Sequence, residues 1–166
     1  MTAKRITCFI AVVISLSPWG VALAQEKKPP PSRVGAWMSL GLGLGSRGIA
    51  GVLDGNFRHG PSVFSLQLAG NSPIDDYNSN GYGALYGRGF PVGGGFQVSA
   101  SAGLGAAHNC YRGGHDCAPL VLAVPLSARI SQRGEVVGIA LVGFTYLNRE
   151  ETFSGVALAL ELGKLK

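Results

Sequence analysis

From Val34 onward the chain alternates large apolar residues with glycine, alanine, serine and scattered polar residues in eight successive runs. A period of two puts successive side chains on opposite faces of a strand, so the alternation commits the chain to β-structure. Met38, Leu40, Leu42 and Leu44 are separated by Ser39, Gly41, Gly43 and Gly45. Ile49, Leu53 and Phe57 oppose Ala50, Val52, Asp54, Asn56 and Arg58, and Phe64, Leu66 and Leu68 oppose Ser65, Gln67 and Ala69. The fourth run, 81–90, sets Tyr82, Tyr86 and Phe90 against Gly81, Gly83 and Gly87. The fifth, 95–107, sets Phe96, Val98, Ala100 and Leu104 against Gln97, Ser99, Ser101, Gly103 and Gly105. Leu120, Leu122, Val124 and Leu126 then oppose Val121, Ala123, Ser127 and Arg129. The run 135–147 is apolar on both faces, and Val156, Leu158, Leu160 and Leu162 close the series against Gly155, Ala157, Ala159 and Glu161.

Glycine supplies 26 of 166 residues, more than twice the ordinary share of about 7%. Each glycine inside a helix costs about 1 kcal/mol against alanine, which argues further against long helices. A G-X-Y period is missing, so the glycines do not mark a collagen.

Most of the runs are nine to thirteen residues long, and a tilted strand needs about 9–11 to cross a bilayer. The connections are uneven. After the second, fourth and sixth runs stand the tight His59-Gly60-Pro61, Pro91-Val92-Gly93 and Gln132-Arg133-Gly134. After the third and fifth stand long polar stretches, 71–80 and 108–118, and after the seventh a shorter one, 148–151. Short turns on one side and longer loops on the other are the asymmetry of outer-membrane barrels. Ser46-Arg47-Gly48, after the first run, is shorter than that pattern implies.

Phe57, Phe64, Phe90 and Phe96 fall at run ends beside the tight turns, as one interfacial girdle requires. Tyr82, Phe144, Tyr146 and Phe153 fall near the opposite ends and are read as the second girdle. The competing architecture is a soluble β-sandwich or lipocalin-like barrel. Against it, the face opposite the leucines is mainly Gly, Ala and Ser, which are too small for a sandwich core and suit a narrow barrel interior. The expected fold is therefore all-β, an eight-stranded antiparallel up-and-down barrel over residues 34–166.

The first 24 residues have the pattern of a secretory signal peptide: Lys4 and Arg5, then an apolar run from Ile6 to Leu16, then Ser17-Pro18-Trp19-Gly20 and the small-x-small Ala22-Leu23-Ala24. Cleavage is expected between Ala24 and Gln25. An uncleaved anchor helix is the alternative, and Pro18 and Gly20 stand where such a helix should be strongest. Cys8 precedes the apolar core and the residue immediately after the cleavage point is Gln25, not a cysteine, which speaks against a lipoprotein. Residues 25–33 (QEKKPPPSR) form an expected extended, proline-rich leader. Loss of Lys4 and Arg5 lowers the net charge from +5 to +3, with no cluster of Lys and Arg of the kind that binds nucleic acid.

Together the signal peptide, the eight runs and the C-terminal stretch Phe153-Ser154-Gly155-Val156-Ala157-Leu158-Ala159-Leu160-Glu161-Leu162-Gly163 resemble the small outer-membrane barrels of the OmpA/OmpX type. The resemblance is architectural and carries no diagnostic motif. It implies a place in a bacterial outer membrane, contact with outer-membrane lipid, and insertion by the barrel-assembly machinery. The ending Gly163-Lys164-Leu165-Lys166 departs from the aromatic last residue common in such chains.

Four clusters could carry chemistry. Gly43-Leu44-Gly45-Ser46-Arg47-Gly48 has dinucleotide-binding spacing, but that chemistry needs a helix N-terminus after the glycines and a strand-like run follows. His108, Cys110, His115 and Cys117 could supply four ligands to a tetrahedral metal. The preferred reading is a disulfide between Cys110 and Cys117 with no metal, because these are the only cysteines after the signal peptide and export leads to an oxidising compartment. Asp54, Arg58, Arg129 and Glu161 share the inferred inward face near the tight turns, and buried charges must pair. An interior ion-pair cluster is expected, with a gate or pore constriction as the alternative. A hydrolase would need a serine, a histidine base and an orienting carboxylate. His59 lies near Ser62 without a carboxylate in sequence reach, so no catalytic residues and no cofactor are assigned. The expected role is a non-enzymatic structural or surface-interaction barrel meeting an extracellular ligand through its long loops. A small lipid-active or ligand-binding barrel is the alternative.

Overall fold

A computed structural model of the chain describes residues 34–73, 77–111, 117–149 and 152–164. The signal peptide, the Ala24–Gln25 cleavage point and the leader lie outside the described residues. Eight strands follow one another: β1 (Val34–Gly45), β2 (Gly48–His59), β3 (Ser62–Pro73), β4 (Tyr77–Gly93), β5 (Phe96–Tyr111), β6 (Val121–Arg133), β7 (Val137–Leu147) and β8 (Phe153–Lys164). Each pairs antiparallel with the next, and β1 pairs with β8, so the sheet closes as an up-and-down barrel. Closure satisfies both sides of every strand and leaves no edge.

The barrel is inside-out by the standard of a soluble protein. Leu40, Leu66, Leu122 and Leu158 all point outward, with Leu122 74% exposed. Inward positions are small or polar, and Ala50, Ser39, Asp54, Ala159 and Glu161 are buried. Contiguous apolar surface on this scale is not left to water in a stable monomer, and it matches the lipid-facing band of a membrane barrel.

Tight turns follow β2, β4 and β6 as expected, but they fall at 60–61, 94–95 and 134–136: Pro91, Val92 and Gly93 belong to β4 and Gln132 and Arg133 to β6. The connection after β4 runs through Gly93, Gly94 and Gly95, all with positive φ, and the β4–β5 register shifts between Pro91 and Gly93. Three successive residues in that backbone region are accessible only to glycine without strain. At the other end the structure differs from the loop expectation. Pairing between β3 and β4 continues to Asn71–Ser79, and β4–β5 pairing continues to Tyr77–Tyr111. Most of the stretches 71–80 and 108–111 are therefore strand. Alternation persists there in polar form: Asn71 and Ser79 are buried inside while Ser72 and Asn80 are exposed.

Candidate functional site

The barrel interior holds two layers that cross the lumen at different heights. The layer toward the tight turns is ionic. Ser39, Asp54 and Glu161 stand on one register row of β1, β2 and β8. Arg129 projects from β6, which is diametrically opposite β2 in an eight-membered ring, and spans the lumen to them. Its Nη2 meets Asp54 Oδ2 at 2.5 Å and its Nη1 meets Glu161 Oε1 at 2.9 Å and Ser39 Oγ at 3.1 Å. Arg133 Nε donates to Glu161 Oε2 at 3.1 Å and its Nη1 to Gln97 Oε1 at 3.0 Å. The Arg133 guanidinium also stacks 3.8 Å from the centre of the Trp37 ring. Asn56 donates to Asp54 and to Ser39. Two guanidinium groups thus neutralise two carboxylates in the buried interior, which is what burial of charge demands.

Of the four residues singled out in the sequence, Asp54, Arg129 and Glu161 are joined by these contacts. Arg58 sits nearer the mouth, where its Nη1 donates to Gln97 Oε1 at 2.8 Å and its Nε to the Gly60 carbonyl at 2.7 Å. Arg133, assigned in sequence to a turn, is the member that sequence reasoning missed. It shares the inward phase of Arg129 four residues earlier, and extending the alternation through the turn would have found it.

The second layer is aromatic and lies toward the other end. Phe144, Tyr146 and Phe153 are buried inside the lumen, which corrects the reading of these three as part of an outer girdle. Tyr146 and Phe153 stack with ring centres 5.0 Å apart, and Phe153 meets Phe144 edge-on at 6.4 Å. Tyr146 crosses from β7 to donate its hydroxyl to the Gln67 carbonyl on β3, again the opposite strand, at 3.3 Å. Room for the rings comes from glycines facing them. A Cβ at Gly81 would lie 2.5 Å from Tyr146, and one at Gly155 would lie 2.7 Å from Phe144. Between the layers, a cavity bordered by Trp37, Ser101, Ser127 and Arg129 has a volume of only about 10 Å³, enough for about one water molecule. Eight strands leave an interior just wide enough for side chains, and here side chains fill it.

Cys110 and Cys117 are joined by a disulfide at the end of β5, where Cys110 and Cys117 also form a β-bridge. Both thiols are consumed by that bond, so the four-ligand metal arrangement is unavailable; His115 lies outside the described residues. The bond closes a loop of sequence separation seven, and a loop that short should contribute about 2–3 kcal/mol at most. Reduction should therefore leave the barrel folded, which unfolding curves with and without reductant will show, alongside the cross-linked peptide in a non-reducing mass spectrum. At the opposite rim the Ser62 hydroxyl pairs with the Tyr86 hydroxyl at 3.1 Å, and no buried carboxylate orients His59 among the described contacts.

No protein-family model matches the chain, and no curated protein matches it in sequence. Solved structures do share its fold. Neisserial surface protein A (NspA) superposes with a TM-score of 0.58 at 12% identity, over 78% of this chain and 94% of that one. The N-terminal β-barrel domain of Pseudomonas aeruginosa OprF gives 0.57 at 12% identity, over 80% and 98%. A de novo designed transmembrane β-barrel gives 0.53 at 12% identity, over 84% and 99%. The chain has the fold of the small eight-stranded outer-membrane barrels.

Proposed function

We propose that this chain is a non-enzymatic barrel of a bacterial outer membrane, closed to solute passage, whose task is structural or is carried out at the surface by its longer strand extensions. The carrying observation is the combination of an apolar exterior with a lumen crossed twice by side chains from opposite strands. Leucines at Leu40, Leu66, Leu122 and Leu158 face the surroundings, while Arg129 and Tyr146 each bridge the interior. A barrel that binds a ligand or transfers acyl chains within its lumen needs a concave pocket of about 300–1,000 Å³ with converging polar groups, and the interior cavity described above is far smaller. The tight turns then face the periplasm, and the β4–β5 ribbon with the Cys110–Cys117 bond faces outward toward an extracellular ligand. Export by the signal peptide and insertion by the barrel-assembly machinery belong to this reading. Membrane fractionation with an unheated gel tests it. The protein should sediment with outer-membrane markers and run faster unheated than boiled; a soluble product with no heat-dependent shift would refute the reading.

A further inference from the structure

The outer wall near the tight turns carries a second arrangement that the closed lumen does not account for. Three outward register rows cross β1 to β4 there. The row nearest the turns contains His59, Ser62 and Arg88 on adjacent strands. The next contains Ala36, Phe57, Phe64 and Tyr86, with Lys164 beside Ala36. The third contains Met38, Gly55, Leu66, Ala84 and Leu104. In that third row large and small residues alternate, so Leu66 stands as a ridge between two shallow furrows floored by Gly55 and Ala84. Two open depressions of about 660 and 650 Å³ lie one after the other along the strands, the first reaching Phe57 and Phe64 toward the turns and the second Leu53, Leu68 and Leu104 away from them. Both include Met38, Gly55, Leu66 and Ala84, so each furrow runs on through both.

Gly55 needs explaining. Its backbone is not in the left-handed region, and a Cβ placed there would meet nothing within 4 Å. Neither conformation nor crowding requires glycine, although glycine weakens a strand; such positions mark close approach of a ligand or another backbone. Directly in line with the Leu66 ridge on β3, the Ser62 hydroxyl bonds to the Tyr86 hydroxyl, flanked by His59 on β2 and Arg88 on β4. Phe64 and Tyr86 pack at 5.0 Å beneath them. Among the described residues Arg88 makes no ion pair.

We propose that this face binds one diacyl phospholipid with an anionic headgroup, an inference that rests on the membrane reading above. The phosphate lies over the Ser62–Tyr86 hydroxyl pair between His59 and Arg88. The two acyl chains run down either side of the Phe64–Leu66 ridge, one over Gly55 and one over Ala84. Charge favours this occupant over a second copy of the chain, because a two-fold pairing would set His59, Arg88 and Lys164 against their own counterparts.

Native mass spectrometry of the protein, released from detergent micelles after exposure to phosphatidylglycerol or phosphatidylcholine, tests the site. One phosphatidylglycerol should be retained per barrel, with a preference of about fivefold for each basic side chain engaged. Arg88→Gln should cut that preference about fivefold, and Gly55→Leu with Ala84→Leu, which fills the furrows from an open surface, should abolish retention of both lipids. Equal retention of the two lipids, or retention untouched by the furrow-filling pair, overturns the proposal. So does a dimer that this pair dissociates. Co-flotation with phosphatidylcholine vesicles separates the two levels: a protein that floats but shows no lipid preference refutes this site alone, and one that enters no vesicle refutes the membrane reading with it.

Discussion

Substitution of Arg129 by alanine should lower the unfolding stability of the barrel by about 3–5 kcal/mol, the range for removing one partner of a buried ion pair. The size follows from what remains. Asp54 is fully enclosed and its ionic contact is Arg129, while Glu161 keeps only Arg133. Asn56 still donates to Asp54, but a neutral amide does not balance a buried carboxylate. Arg129→Lys should recover little, since one ammonium cannot reproduce the fork that reaches Asp54 and Glu161 through different nitrogens. Adding Asp54→Asn and Glu161→Gln to an Arg129→Met background should restore much of the loss, because the penalty comes from unpaired charge more than from lost attraction. Equilibrium urea unfolding of the barrel refolded into lipid vesicles measures each variant. An Arg129→Ala protein as stable as the parent would mean that the side chain lies outside or reaches bulk water.

The strand number, the phase of most strands and the inside-out character could be read in the chain because one face is large and apolar while the other is small or polar. Asp54, Arg129 and Glu161 are charges on the small face, so their inward placement follows from phase alone. Phase fails where both faces are apolar. β7 offers Val137, Ile139 and Leu141 on one side and Val142, Phe144 and Tyr146 on the other, and nothing local decides which side turns in. The deciding feature is non-local: Gly81 on β4 and Gly155 on β8 leave the space that the rings occupy, and that match needs the closed register. Leu85, inward on a strand whose other inward residues are mostly glycine, was hidden for the same reason. Arg133 was hidden because a strand end and a tight turn look alike in sequence. The polar ends of β3, β4 and β5 read as loops because asparagine and serine carry the alternation there instead of leucine.

The aromatic layer yields the other large effect. Phe153→Ala should cost about 3–5 kcal/mol, the range for emptying a buried phenylalanine site. Its neighbours cannot collapse into the space: Tyr146 is held by its hydrogen bond across the lumen to Gln67, and Phe144 is lodged against Gly155. The contrast that decides placement is Phe96→Ala. Phe96 lies on the outer surface and is 45% exposed, whereas Phe153 is 1% exposed. On the proposed membrane reading, removing an outward ring exchanges protein–lipid contact for lipid that can flow into the gap, so its loss should fall well below that of Phe153→Ala. The vacated space should not make a pore, since Arg129 still bridges β6 to β2 and β8 at another height. Single-channel recording across a planar bilayer should accordingly find no stepwise conductance in Phe153→Ala. Equal losses for Phe153→Ala and Phe96→Ala would return Phe153 to the outer girdle, and discrete openings in Phe153→Ala would show that the ionic layer does not seal the lumen.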